Sequence, residues 1–94
     1  MAVKVMIKRI VPEYKVKDLL PLLMEMRNLA MKQESYISGE TLNRIDKPGE
    51  QLVISTWRTL EAWREWVLSS ERKELQEKID LLLGEKTEYE VYTY

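Results

Sequence analysis

The apolar residues of this chain change their spacing along its length, from every second residue to a helical period of about 3.6 and back, twice over. That switching constrains the fold more than any other feature, because it fixes the order of strands and helices. Residues 2–11 alternate, with Val3, Val5 and Ile7 to one side and Lys4, Met6 and Lys8 to the other. They predict a strand with one apolar and one mixed face, ended by Pro12-Glu13. From Lys17 to Gln33 the period is helical. Leu19, Leu20, Leu23, Met24, Met26, Ala30 and Met31 fall on one broad arc, and Asp18, Glu25, Asn28 and Lys32 fall opposite. Pro21 reads as a start signal, tolerated if the helix begins near Lys17 or Asp18, because first-turn amides have no intrahelical partner.

Tyr36 to Ile45 and Gln51 to Arg58 predict two strands around the turn Asp46-Lys47-Pro48-Gly49. A second helix follows Thr59, a good N-cap, with Leu60, Ala62, Trp63, Trp66 and Val67 on one stripe. Beyond Ser69-Ser70 the stripe becomes Leu75, Ile79 and Leu82, rotated by about a third of a turn. A straight helix cannot face one core with both, so a break at Ser69-Ser70 is expected, with one serine recapping the second segment. Gly84 ends it, and Glu88 to Tyr94 alternates as a last strand. The order is β-α-β-β-α-β, an α+β ferredoxin-like arrangement with both helices on one face of an antiparallel sheet. The other face is expected to carry Lys4, Lys8, Glu40, Ser55, Glu90 and Tyr92 among Met6, Leu42, Val53 and Trp57. Such a face is too apolar to be fully wetted, and two of them packed across a two-fold axis would bury the apolar members.

With 94 residues the chain reads as a single domain over 1–94 with a small core, which oligomerisation would help to bury. It has neither histidine nor cysteine. That removes disulfides, thiolate nucleophiles, histidine bases and the usual ligands of haem, zinc and iron–sulfur clusters, and no metal site is expected. Fifteen basic residues nearly balance sixteen acidic ones and the signs alternate, so nucleic acid is not an expected partner. The longest strongly apolar stretch, Leu19 to Met24, is too short to span a membrane. Lys4, Lys8 and Arg9 interrupt the apolar run that a signal peptide would need, so a cytosolic protein is expected.

Three segments carry a family resemblance. One is Tyr36-Ile37-Ser38-Gly39-Glu40-Thr41-Leu42, a strand entered with a glycine after the first helix. Another is Val53-Ile54-Ser55-Thr56-Trp57-Arg58-Thr59-Leu60-Glu61-Ala62-Trp63, a strand ending in tryptophan that leads into a helix. The third is Trp66 followed by Ser69-Ser70-Glu71-Arg72. With the element order and length, these make the chain similar to the antibiotic-biosynthesis-monooxygenase domain family, whose members are ferredoxin-like chains that pair as dimeric α+β barrels. The resemblance implies a homodimer and an oxygenase that needs no cofactor, oxidising a small quinol-like or polycyclic phenolic substrate with dioxygen. A haem-degrading branch of the family uses an asparagine in the first strand, a tryptophan ending the third and a histidine in the second helix. Here the first and last of these positions fall near Ile7 or Lys8 and near Gln76, so only Trp57 matches. A non-catalytic dimeric module that binds a small aromatic is the other reading these features permit.

On that resemblance Trp57 and Trp66 are candidate pocket walls, an indole offering both an apolar face and an N–H donor. Trp63 is expected in the core. Arg27 sits near the middle of the apolar arc of the first helix, as an ion-pair partner of Glu40 or Glu90, as an aliphatic stem snorkelling to the edge, or as a fixed cation that stabilises a substrate anion. Asn43 and Tyr36 are candidates for orienting a substrate hydroxyl or dioxygen. Leu23 and Met24 are candidate substrate contacts, methionine being adaptable to varied flat ligands.

Overall fold

The computed structural model describes residues 1–94. The elements are β1 (Val3–Ile10), a 3₁₀ turn (Glu13–Lys15), α1 (Val16–Met31), β2 (Tyr36–Asn43), β3 (Glu50–Trp57), α2 (Leu60–Leu68), α3 (Ser70–Leu83) and β4 (Glu90–Thr93). All strand pairings are antiparallel, in the order β2-β3-β1-β4. This is the expected ferredoxin-like arrangement. No helix is long and apolar enough to cross a membrane.

Local chemistry explains most boundaries. The Thr59 hydroxyl accepts from the Ala62 amide at 3.1 Å and caps α2. Gly84 ends α3 in the left-handed region, at φ 78°, with its amide donating to the Asp80 carbonyl. The break expected at Ser69-Ser70 is present, and Ser69 stands between α2 and α3 with an extended backbone. Its hydroxyl does not recap α3, however. The Oγ is buried and has no hydrogen-bond partner. Pro21 is also not at a helix start, for α1 begins at Val16 and carries the proline inside. The Lys17 carbonyl therefore has no amide four residues on to accept from.

The register corrects one expectation about the sheet. Val3 stands opposite Trp57, Val5 opposite Ser55 and Ile7 opposite Val53. Directly opposed residues share a face, so Trp57, Ser55 and Val53 point to the helices with Val3, Val5 and Ile7. The outer face carries Leu52, Ile54 and Thr56 in their place, opposite Lys8, Met6 and Lys4. Lys4, Lys8, Glu40, Leu42, Glu90 and Tyr92 have the outward parity expected of them.

Beneath the helices the core divides into two clusters. One joins Val3, Val5, Ala30, Trp57 and Trp66, and the other joins Val11, Leu19, Leu75 and Ile79. Met26 and Leu29 of α1 pack against both. The division follows from the Ser69 break, which turns the tryptophans of α2 onto one end of the sheet and the aliphatic stripe of α3 onto α1. Each large side chain so buried contributes about 1.5–3 kcal/mol.

Candidate functional site

Helix α1 packs on α3 more than on β2, so the sheet between β1 and β2 is left uncovered from within. The result is a cavity of about 310 Å³. Its floor is Val5, Ile7, Val53 and Ser55; one end is Trp57, Trp63 and Trp66, and the mouth is Leu20, Leu23, Met24 and Arg27 of α1 across from Tyr36 and Thr41 of β2. The walls are mostly apolar with a few convergent polar groups, as in small-molecule sites.

The aromatic end is tightly built. Trp57, only 1% exposed, stacks on Trp66 with ring centroids 5.6 Å apart and meets the edge of Tyr36 at 5.4 Å. Trp63 packs edge-on against Tyr89 at 5.7 Å. Gly39 lies under the Tyr36 hydroxyl so closely that a Cβ there would collide with it. The glycine of the β2 segment is thus what lets Tyr36 turn onto Trp57. The Trp57 indole is not free to donate to a ligand, since its Nε1 donates to Ser55 Oγ at 3.1 Å. Ser55 lines the cavity, and with its oxygen accepting from Trp57 its own O–H is left free to donate.

Most of the polar lining was missed from sequence. Arg9 is 6% exposed, on the helix face of β1 opposite Gln51. Its Nε is cut off from solvent and has no hydrogen-bond partner, as has the Gln51 Oε1. Arg72, Gln76 and Asp80 stand one turn apart on α3. Arg72 donates to the Val67 carbonyl at 3.1 Å and to Gln76 Oε1 at 3.3 Å, and its guanidinium lies 5.1 Å from the centre of the Tyr89 ring. Gln76 Nε2 donates to Asp80 Oδ1 and Thr87 Oγ1, and the Tyr89 hydroxyl donates to Gln76 Oε1. Burial lowers the pKa of both guanidiniums, and Asp80 opposes this for each. Both remain cations, because arginine starts so high.

Of the residues expected at the site, Trp57, Trp66, Tyr36, Leu23, Met24 and Arg27 all line the cavity. Asn43 does not. It is exposed at the far end of β2, opposite Gln51. Arg27 is exposed at the mouth, as a stem snorkelling to the edge of its helix face would be, since α1 buries Leu19 and Ala30 and leaves Leu20, Met24 and Met31 open. It pairs with neither Glu40 nor Glu90, for the ion pairs of the chain all lie at the β2–β3 turn. Trp63, expected in the core, both packs on the first cluster and lines the cavity. The signal for Arg9 was strand parity, because it continues the series Val3, Val5, Ile7.

Residues 2–78 match the family described as antibiotic biosynthesis monooxygenase. A search of curated proteins gives no significant match. Among solved structures, the fold is shared with a conserved protein from Methanosarcina mazei Go1, 21% identical with a TM-score of 0.87, over 98% of this chain and 91% of that one. It is shared with SnoaB, a cofactor-independent oxygenase from Streptomyces nogalater, at 14% identity and a TM-score of 0.84, over 99% and 92%. Rv0793 from Mycobacterium tuberculosis is 18% identical, with a TM-score of 0.85 over 100% and 95%.

Proposed function

The chain belongs to the antibiotic biosynthesis monooxygenase family, and from that premise we propose that it is a cofactor-independent oxygenase acting with dioxygen on a small quinol-like or polycyclic phenolic substrate. The observation that carries this reading is the mostly apolar cavity lined by Trp57, Trp63, Trp66 and Tyr36, whose size and character suit a small aromatic substrate. In the proposed reaction the deprotonated substrate gives one electron to dioxygen, and the radical pair recombines into a carbon–oxygen bond. The peroxide then takes up a proton and loses water to leave a carbonyl. Such chemistry asks three things of the protein: a dry cavity, donors at the substrate oxygen and a cation beside the anion. The aromatic walls supply the first, the Ser55 hydroxyl the second, and Arg27 at the mouth or Arg9 at the inner end the third. Leu23 and Met24 hold the outer edge of the substrate.

The unit is proposed to act as one domain and as a homodimer, joined through the outer sheet face, where Met6, Leu42, Leu52 and Ile54 have no helix over them. Oxygen consumption over a panel of quinols and polycyclic phenols tests the oxygenase reading. Uptake above the uncatalysed rate is expected, reduced by Trp57→Phe. No uptake with candidates demonstrably bound would replace the enzyme with a non-catalytic binding module.

A further inference from the structure

Buried charges in proteins are paired, and breaking such a pair is strongly destabilising because one charge is left uncompensated. The inner end of the cavity departs from that rule. Arg9 and Arg72 are both buried there, yet no carboxylate lies within ion-pair distance of either, since every ion pair is at the β2–β3 turn. Asp80 is the acid that acts on both. Its Oδ1, however, accepts from Gln76 and Thr87 and not from a guanidinium. Two cations and one anion leave this end with an excess of one positive charge. The Arg9 side chain is 6% exposed, lines the cavity and has no acceptor in the protein for its Nε.

We propose that the Arg9–Arg72 end is a carboxylate-binding site, and that the ligand is an aromatic monocarboxylate whose ring lies toward Trp57 and Trp66. One negative charge balances the excess, whereas a dianion would overshoot it. A carboxylate also presents two coplanar oxygens, which the guanidinium fork matches as a single phenolate oxygen does not. Arg72 donates to the carbonyl of Val67, next to Trp66, and its guanidinium faces the Tyr89 ring, which packs on Trp63. The cations and the tryptophans are therefore close enough for one small aromatic acid to reach both. The inference rests on the same cavity being the substrate site and narrows its substrates to acids.

Tryptophan fluorescence reports binding directly, because the tryptophans line the cavity. The probes are 2-naphthoate, its neutral isostere 2-naphthamide, and 2-naphthol. The wild type is expected to bind the acid at least tenfold more tightly than the amide or the naphthol, and the preference is expected to persist at high salt, as buried charges are little screened. In Arg9→Met the acid and amide are expected to bind within about twofold of each other, with an unchanged far-UV circular dichroism spectrum. Arg9→Lys keeps part of the preference. Equal binding of acid and amide by the wild type overturns the proposal, and that comparison needs no variant to fold. So does naphthol binding as tightly as the acid, which would make this a phenolate site, or a preference that survives in Arg9→Met, or no binding of any probe. The assay reads binding alone, so its failure removes the carboxylate site and leaves the oxygenase reading to oxygen uptake.

Discussion

Arg9 and Asn43 mark how far single residues could be read. Both are polar residues in strands. Parity alone turns Arg9 inward with Val3, Val5 and Ile7, and it becomes the inner end of the cavity. Asn43 has a similar strand setting but lies near the open end of β2, beyond the cavity. What separates them is the depth of cover, which is a property of the packed helices and not of the local sequence. That Trp57 lines a cavity was legible, but its hydrogen bond to Ser55 was not, because that depends on which face β3 turns inward. Since Trp57 is fully buried against Tyr36 and Trp66, Trp57→Ala is expected to cost about 3–5 kcal/mol in urea unfolding. That is a large share of the total of about 5–15 kcal/mol for a domain. Arg44 makes a different prediction. Its hydrogen bonds to Asp46 and Glu50 hold both carboxyls below their usual range. A lowered folded-state pKa gives stability that is present above the ordinary carboxylate range and lost as pH falls through the lowered values. Arg44→Met is therefore expected to lower the urea midpoint slightly at neutral pH, and the gap should close in acid.

Helix phase was the most legible element property and strand facing the least. The shift of stripe from Trp63 and Trp66 to Leu75 and Ile79 predicted the Ser69 break, because a helix axis cannot turn its face without interruption. Strand β3 was turned the wrong way because it is apolar on both faces, so its own pattern carries no preference. Only its pairing with β1, from Val3↔Trp57 to Ile10↔Glu50, decides the matter. Pro21 misled for a related reason. A proline announces a helix start only when nothing upstream continues the helix, and here Val16 to Leu20 do so. The two candidate caps of the α2–α3 pair lead to opposite expectations. Thr59 makes its capping bond, so Thr59→Ala should destabilise by about 1 kcal/mol. The Ser69 hydroxyl is buried without a partner, so Ser69→Ala should be neutral or stabilising in the same denaturation series.

For the whole molecule, the sequence conveyed the order of the elements and the existence of two dissimilar sheet faces, but not which apolar residues lie on which. The correction strengthens the case for assembly. Leu52 and Ile54, not Val53 and Trp57, lie outside with Met6 and Leu42, and only 13 of 94 residues are buried in the isolated chain. Sedimentation is expected to give a dimer for the wild type and a monomer for Ile54→Lys, which places a charge in the middle of that face. The sheet has one further consequence. Strands β2 and β3 are joined by a short turn, β1 reaches β3 over half the chain, and β1 meets β4 with Val3 opposite Thr93, almost end to end. Loop-closure entropy rises with that separation, so β4 is the most expensive strand to dock and has four exposed residues to hold it. Tyr89, which leads into β4, completes the cavity wall and seats the Arg72 guanidinium. The Tyr89 wall of the cavity is thus expected to be the last part of the protein to assemble and the first to come undone, so that a chain can be almost wholly folded with its cavity still open.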